Sequence, residues 1–305
     1  MIVSLKVCNF AEKFGYGFQK GDLVIIGARP AVGKTAFALN IASNVALRNP
    51  EPVAFFSLEM PAEHVAMRIL ADKAKVEIQK IRTGTLTDEE WSRLNEASQE
   101  LKRQNFFIDD TPGIRVADMY AKARKLARDN GLYMIIVDYI QLIQATGKSE
   151  SRQQEVSEIS RRLKAMAREL NVPVIALSQL SRSVEQRQDK RPMLSDLRES
   201  GSIEQDADIV LMLQETKLNE AENNPKNQLD KHNQEVEKAK EQAAKASGDC
   251  KLATLFVRKN RSGKQGQVHL LFKKDCCRFD SLSEEANRQV EDLDKERIGY
   301  LPTGD

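Results

Sequence analysis

The segment Ala28–Thr35 constrains the fold and chemistry of this chain more than any other stretch. It follows the apolar run Leu23–Ile26 and precedes a helical pattern that starts at Ala36. A strand, a turn ending in Gly-Lys-Thr and a helix form the context of a phosphate-binding loop, because backbone N–H groups and the positive end of the helix dipole face a polyphosphate there. The segment therefore predicts a nucleotide site on an α/β fold; the alternative is a chance Gly-Lys-Thr in an ordinary loop.

Within this loop, Lys34 is expected to reach the β- and γ-phosphates of ATP, and the Thr35 hydroxyl is expected to bind Mg²⁺. One position departs from the usual G-x-x-x-x-G-K-[S/T] pattern, since Ala28 occupies the place of the first glycine and Gly27 comes one position earlier. Alanine is small enough to be compatible with the turn. The residues assigned to nucleotide binding are Ala28, Arg29, Pro30, Ala31, Val32, Gly33, Lys34, Thr35 and Ala36.

Composition limits the partners and the compartment. The 305 residues carry a net charge of +2, which argues against a bulk electrostatic grip on nucleic acid but allows binding by a few local groups or by several subunits. No apolar run is long enough to span a bilayer and no secretory signal is visible, so no membrane partner is expected. Four cysteines without a C-x-x-C pair favour a reducing, cytoplasmic location, and the three separated histidines are assigned no role.

Short apolar runs alternate with longer amphipathic segments along residues 23–213. This alternation predicts a mostly parallel, twisted, doubly wound sheet with helices on both faces. Two later runs, Leu252–Val257 and Gln267–Phe272, flank the turn-rich segment Lys259–Gly266 and predict a C-terminal β-hairpin at the sheet edge. The predicted strands are Leu23–Ala28, Val53–Leu58, Phe106–Ile108, Met134–Val137, Val172–Leu177 and Ile209–Leu213; the predicted helices are Thr35–Leu47, Ala62–Lys73, Asp88–Lys102, Val116–Asp129 and Arg152–Leu170.

Two segments differ from this pattern. Residues 215–249 are rich in Lys, Glu, Gln, Asn and Ala and nearly lack large apolar side chains, which predicts a charged, mobile surface insertion. Residues 281–305 are polar and acidic and are expected to form a loosely packed tail. The predicted organisation is one ATPase domain over residues 1–280, interrupted by the insertion, followed by the tail.

Polar side chains at the ends of predicted strands supply the remaining groups that ATP hydrolysis needs. Asp138 ends an apolar strand and is the candidate Mg²⁺ partner, although an aspartate can simply end a strand. Glu59 ends another strand and is the candidate base for the attacking water, with helix capping as its alternative. Arg68 is a candidate γ-phosphate contact or an exposed side chain. Gln179 is a candidate γ-phosphate sensor that precedes a charged loop, Ser181–Gly201.

Several strings taken in order resemble the ATPase domain of DnaB-type replicative helicases. The resemblance covers roughly Gly15 to Phe279, interrupted by the insertion, and this family commonly has alanine at the position of Ala28. It implies a RecA-like P-loop fold that assembles as a ring, usually a hexamer, around single-stranded DNA, with ATP between neighbouring subunits. The strings are Ala28–Pro30, Gly33–Thr35, Ser57–Met60, Val137–Leu142, Ser178–Arg182, Asp196–Asp208 and Lys259–Gly263.

The resemblance also implies roles for residues that the strand pattern leaves unexplained. Lys259 and Arg261 match the finger residues that reach the neighbouring subunit's γ-phosphate. Arg198, Glu199 and Gly201 match the loop that touches the DNA backbone, partly through main-chain N–H groups, and such contact does not read base sequence. The same resemblance supports Glu59 as catalytic base, Asp138 as the Walker B acid and Gln179 as sensor, with the phosphate loop binding ATP and Mg²⁺.

The implied function is an ATP-dependent helicase motor that moves along one DNA strand from five prime to three prime. Residues 1–14 are too short for the family's N-terminal primase-binding domain and linker helix, so primase binding is doubtful, whereas a helicase loader is a possible partner. One alternative is a helicase-derived module that binds single-stranded DNA or a partner without unwinding. The other is a RecA-like recombinase or clock-type ATPase, because one core hosts several functions.

Overall fold

The computed structural model describes residues 14, 17–47, 49, 51–103, 105–144, 151–187, 191–197, 201–215 and 250–282. Nine strands in these residues form one sheet with the order β3-β2-β4-β5-β1-β6-β7-β8-β9. The strands are β1 Leu23–Ala28, β2 Val53–Ser57, β3 Phe106–Asp109, β4 Met134–Asp138, β5 Val174–Gln179, β6 Ile209–Glu215, β7 Lys251–Asn260, β8 Gly266–Lys273 and β9 Arg278–Ser281.

The first six strands pair in parallel, whereas β7, β8 and β9 each pair antiparallel with the strand before them. Parallel strands need crossovers, which here are mostly helices. The helices are α1 Lys34–Ala46, α2 Ala62–Ala74, α3 Ile78–Thr83, α4 Asp88–Arg103, α5 Val116–Asn130, α6 Arg152–Leu170, α7 Ser183–Gln186 and α8 Gly201–Asp206, with 3-10 turns at Ile140–Leu142 and Leu194–Asp196.

Helices cover both faces of the sheet. Apolar residues of α1 and α2, such as Phe37 and Ile69, pack in one buried cluster, whereas residues of α5 and α6, such as Met119 and Leu163, pack in the other. All six residues of β1 are buried, as expected for a central parallel strand covered on both sides. The predicted mostly parallel RecA-like sheet with helices on both faces is therefore confirmed.

The carboxyl-terminal part of the sheet differs from the predicted hairpin. The hairpin exists as β7 and β8, but β9 pairs with β8 and forms the sheet edge. The predicted turn Lys259–Gly266 is also too long, because Lys259 and Asn260 belong to β7. Both differences arise because backbone pairing continues through polar residues that carry no apolar strand signal.

Other parts of the predicted organisation fall mostly outside the described residues. Of the predicted insertion, only residue 215, in β6, is described, and of the predicted tail only residues 281 and 282. The division at residue 280 stays a prediction, although β9 continues to Ser281. Within the described ranges, no helix combines the length and apolar character that crossing a bilayer requires.

Candidate functional site

Several predicted site residues surround one cavity of about 420 Å³ at the carboxyl edge of the parallel strands. This edge is common to β1, β2, β4 and β5, because Ser57 lies opposite Asp138 and Ala28 lies opposite Gln179. The predicted residues that line the cavity are Ala28, Arg29, Pro30, Ala31, Gly33, Lys34, Thr35, Ala36, Glu59, Arg68 and Gln179. The fold thus brings the predicted phosphate loop, base and sensor to one opening.

The phosphate loop requires glycine at position 33 for two separate reasons. Gly33 has φ 103°, a left-handed conformation that side chains disfavour. A Cβ added there would also lie 2.9 Å from the ring of Phe272, which stacks on Phe279 with ring centroids 4.2 Å apart. The turn that presents the first N–H groups of α1 to the cavity is therefore packed against β8 and β9.

The substitution Gly33→Ala is expected to lower the free energy of unfolding by about 2–4 kcal/mol, because it adds backbone strain and overpacking together. The control is Gly84→Ala, since Gly84 has φ 70° and nothing within 4 Å of its added Cβ. Strain alone should make the control cost about 1 kcal/mol. Urea unfolding of both variants measures the difference, and equal costs would argue against the contact with Phe272.

Asp138 does not line the cavity itself but contacts two residues that do, Thr35 and Lys34. Its carboxylate is 1% exposed and accepts a hydrogen bond of 2.7 Å from the Thr35 hydroxyl, and its Oδ1 lies 3.4 Å from Lys34 Nζ. Among the described residues, Oδ1 is a buried oxygen without a hydrogen-bond partner. A hydroxyl and a carboxylate whose Oδ1 lacks a hydrogen-bond partner among those residues suit Mg²⁺, which prefers oxygen ligands.

Lys34 is held inside the site by charge and by an aromatic ring. Its Nζ lies 4.1 Å from the centroid of the Tyr139 ring, a cation–π contact. Burial lowers the pKa of Lys34, while Asp138 and Glu59 raise it in opposition. Burial disfavours the charged ammonium form of Lys34, whereas the negative charge of a polyphosphate in the cavity would favour it. Lys34 is therefore suited to bind an anion.

Glu59, Arg68 and Gln179 reach the cavity from three elements. Glu59 follows β2 in a turn that the Ser57 hydroxyl stabilises by donating a 2.6 Å hydrogen bond to the Met60 carbonyl. Arg68 projects from α2, and Gln179 ends β5. This arrangement can place a carboxylate, a cation and an amide around the terminal phosphate of a bound nucleotide.

The predicted finger residues lie elsewhere. Asn260 pairs with Ile209, the first residue of β6, so the end of β7 lies at the amino edge of the parallel strands. Because β6 has seven residues, about 20 Å separates this edge from the carboxyl edge. Lys259 and Arg261 do not line the cavity; they bind main-chain carbonyls at the end of α8.

Burial lowers the pKa of Lys259, and the positive charge of Arg261 lowers it further. The carboxylates of Asp208, Glu204 and Asp206 raise this pKa in opposition, so acidic groups lie close to the two cations at the amino edge. Of the predicted DNA-binding residues, Gly201 is the first residue of α8, whereas Arg198 and Glu199 lie outside the described residues.

Sequence reasoning missed several parts of the site. Gln141 donates through Nε2 to the Ser178 hydroxyl at 3.0 Å and accepts from the Gln179 N–H at 3.4 Å, so it ties the sensor strand to the segment after β4. The Arg29 guanidinium donates to the Leu180 carbonyl at 2.9 Å. Further cavity-lining residues are Met60, His64, Met67, Ile78, Arg82, Tyr139, Phe272, Lys274 and Cys277. Tyr139 and Gln141 lie in the string Val137–Leu142, and Met60 lies in the string Ser57–Met60; the other cavity-lining residues have no local sequence signal.

Known proteins resemble this chain closely. A family described as the DnaB-like helicase C terminal domain matches residues 9–281. The chain is 52% identical over 272 residues to the replicative DNA helicase DnaC of Bacillus subtilis, and the match covers 89% of this chain and 55% of that protein. The chain therefore spans about half the length of the curated relatives it matches.

Two solved structures share the fold. One of them, described as an ATPase domain, superimposes with a TM-score of 0.78 at 37% identity, covering 92% of this chain and 91% of that one. A DnaB-like replicative helicase, described with its interactions with primase, superimposes with a TM-score of 0.75 at 35% identity, covering 92% and 62%. With the family match over most of its length, this chain belongs to the family of DnaB-like helicase C-terminal domains.

Proposed function

We propose that this chain is the ATP-dependent motor of a replicative ring helicase, which hydrolyses ATP between subunits, moves along single-stranded DNA and unwinds the duplex. The observation that carries the proposal is the separation of two parts of one ATPase. The cavity with Lys34 and Glu59 lies at one sheet edge, whereas Lys259 and Arg261 lie at the other. An adjoining copy must therefore supply the finger cations.

The residues of the cavity have complementary roles in this proposal. The N–H groups of the loop 28–36 and the Lys34 ammonium bind the ATP phosphates. Glu59 accepts the proton of the attacking water, and Arg68 and Gln179 contact the γ-phosphate. Arg261 and Lys259 of the adjoining copy stabilise the charge that develops on the transferred phosphoryl group.

Mg²⁺ fits the pair formed by the Thr35 hydroxyl and the buried Asp138 carboxylate. When bound, the ion would supply positive charge that neutralises part of the phosphate charge. Asp138 has a second task that does not depend on the ion. By facing Lys34 at 3.4 Å, it keeps the ammonium at the base of the cavity.

Single-stranded DNA is the proposed track. Arg198, Glu199 and Gly201 would contact its backbone, in part through main-chain N–H groups, so that the motor moves without reading base sequence. With a net charge of +2, one chain supplies little electrostatic attraction, which favours shared binding by several subunits. The proposed assembly is a hexameric ring in the cytoplasm, with a helicase loader and primase as further partners to be tested.

Unwinding of a forked duplex tests the proposal. The wild-type chain with ATP and Mg²⁺ should separate the strands, whereas Lys34→Ala should not exceed the background without enzyme. Mass measurement with an ATP analogue and single-stranded DNA should find an assembly of several copies. Hydrolysis without unwinding would favour a binding module, a positive strand-exchange assay would favour a recombinase, and a persistent monomer would contradict the shared site.

A further inference from the structure

The carboxyl end of α8 holds both finger side chains. Lys259 Nζ donates to the carbonyl oxygens of Glu204, at 2.6 Å, and Gln205, at 3.3 Å. Arg261 donates through Nη2 to the Gln205 carbonyl at 2.6 Å and through Nη1 to Asp208 Oδ1 at 3.2 Å. We refer to the segment Glu204–Asp208 as the finger bracket.

These contacts follow from the electrostatics of a helix end. The last carbonyl groups of a helix lack partners within the helix and carry partial negative charge, so cations bind there. An arginine has five N–H donors, and its side-chain contacts within the described part of the chain use Nη1 and Nη2. The Arg261 side chain is 47% exposed. The bracket can therefore orient the guanidinium while other donors face an adjoining copy.

Asp208 is fixed to the central sheet. Its Oδ2 accepts the Leu23 N–H at 2.8 Å and also binds the Lys164 ammonium. Its main chain donates to the Leu23 carbonyl at 2.9 Å and accepts from the Arg261 N–H at 3.0 Å. The residue is 8% exposed. Because both oxygens of this carboxylate are engaged, its position relative to β1 and the end of β7 is defined.

The same helix begins at the predicted DNA-contact residue Gly201. Its six residues span about 9 Å. Ile203 is fully buried in the cluster shared with α6, and the Ser202 hydroxyl lies 2.6 Å from the Ser157 hydroxyl of α6. The short, packed helix α8 therefore connects the predicted DNA contact at Gly201 to the finger bracket.

We propose that Asp208 is a positioning residue for the Arg261 finger and that α8 transmits DNA contact at Gly201 to both finger cations. This inference rests on the proposed function, because it needs Arg261 to act on the ATP of an adjoining copy. DNA bound by one subunit would then set the hydrolysis rate at its neighbour's site. In this proposal the bracket orients Arg261 toward the ATP of the adjoining copy and does not sequester it.

The variant Asp208→Asn tests the positioning role, because it keeps an oxygen for the Leu23 N–H but removes the charge that faces Arg261. We expect kcat for DNA-stimulated ATP hydrolysis to fall about 10- to 100-fold, part of the 10³–10⁵ that such a finger supplies. The KM for ATP should stay within about threefold, and affinity for single-stranded DNA should not change. A rise in kcat would contradict alignment and indicate that the bracket sequesters the finger.

Mixed assemblies separate positioning from general damage. Asp208→Asn subunits retain an intact cavity, and Glu59→Ala subunits retain an intact finger, so mixing the two should raise activity above that of either alone. The control is Asp72→Asn, which removes another buried carboxylate, 6% exposed, that lies 3.5 Å from Arg278. Its kcat should stay within about threefold of wild type. A similar loss in both variants, or no rescue on mixing, would overturn the inference.

Hydrogen–deuterium exchange of the wild-type chain tests the coupling without any substitution. On addition of single-stranded DNA, peptides covering 201–208 and 258–263 should change their exchange together, because the Arg261 N–H is bound to Asp208. A change confined to 201–208 would overturn the coupling. A wild-type chain without ATP hydrolysis would instead refute the proposed function itself, so the two failures are distinguishable.

Discussion

Replacement of Arg261 by alanine is expected to lower kcat for ATP hydrolysis by about 10³- to 10⁵-fold, the range for loss of an arginine that stabilises a transferring phosphoryl group. Nucleotide affinity of the isolated chain should change little, since Arg261 lies at the sheet edge opposite its own cavity. A steady-state assay of phosphate release, with single-stranded DNA present, measures the loss. Lys264→Ala is the control, because it removes an exposed cation from the same turn, and its kcat should stay within about twofold of wild type.

Mixing variants distinguishes a finger that acts between copies from one that acts within its own chain. Arg261→Ala subunits have complete cavities and no finger, whereas Glu59→Ala subunits have fingers and no base. Their mixture should recover some activity, because an Arg261→Ala cavity beside a Glu59→Ala finger contains every group. If equimolar mixtures stay as inactive as the separate variants while both still assemble, Arg261 does not act across an interface.

Substitution of Asp138 by asparagine is expected to reduce hydrolysis by about 10³-fold, because a bound metal ion supplies several kcal/mol of charge stabilisation. The shape of the side chain is kept, but the oxygen that faces Lys34 and the proposed Mg²⁺ loses its charge. Removal of Asp138 also removes the largest influence that raises the pKa of Lys34, so this pKa should fall further. Titration of hydrolysis against Mg²⁺ should show that far more of the ion is needed for half-maximal activity.

Asp109 provides the matched control for Asp138. It also ends a parallel strand, β3, but its carboxylate pairs with Lys122, whereas that of Asp138 contacts Thr35 and Lys34. The variant Asp109→Asn should keep hydrolysis within about twofold and leave the Mg²⁺ dependence unchanged. Equal behaviour of the two variants would mean that Asp138 ends a strand and has no metal role.

The central strands could be predicted well because a strand that is buried on both faces is a continuous apolar run. All six residues of Leu23–Ala28 are buried, and the predicted and observed limits coincide. The cavity could be predicted for the same reason, since chemistry-bearing side chains directly follow such strands. Lys34, Glu59 and Gln179 meet because parallel strands bring their carboxyl ends to one edge.

Several short elements escaped prediction, among them α3 and β9, which bury little apolar surface. The six-residue α3 contains no buried residue, so no periodic apolar pattern marks it. The strand β9, Arg278–Ser281, buries only Phe279 fully and depends on pairing with β8. Both contribute to the cavity or its packing, through Ile78 and Arg82 in α3 and through Phe279 behind Gly33.

The edge on which the finger residues lie could not be predicted from the sequence. The 35 residues between Glu215 and Lys251 are long enough for either a parallel crossover or an antiparallel return. Only the antiparallel pairing of β6 with β7 puts Asn260 beside Ile209 and so carries Lys259 and Arg261 away from the cavity. The direction of β7 thus decides that Lys259 and Arg261 do not reach the cavity of their own copy.

In the proposed assembly, the placement of the cavity and the finger cations at opposite sheet edges gives each copy a donor side and an acceptor side. Contacts of this kind join unlike surfaces and propagate head to tail, so they close into a circle or continue as a spiral. In a closed circle every acceptor meets a donor and all active centres are equivalent. In an open spiral the terminal acceptor stays incomplete, and that copy differs from its companions without any difference in sequence.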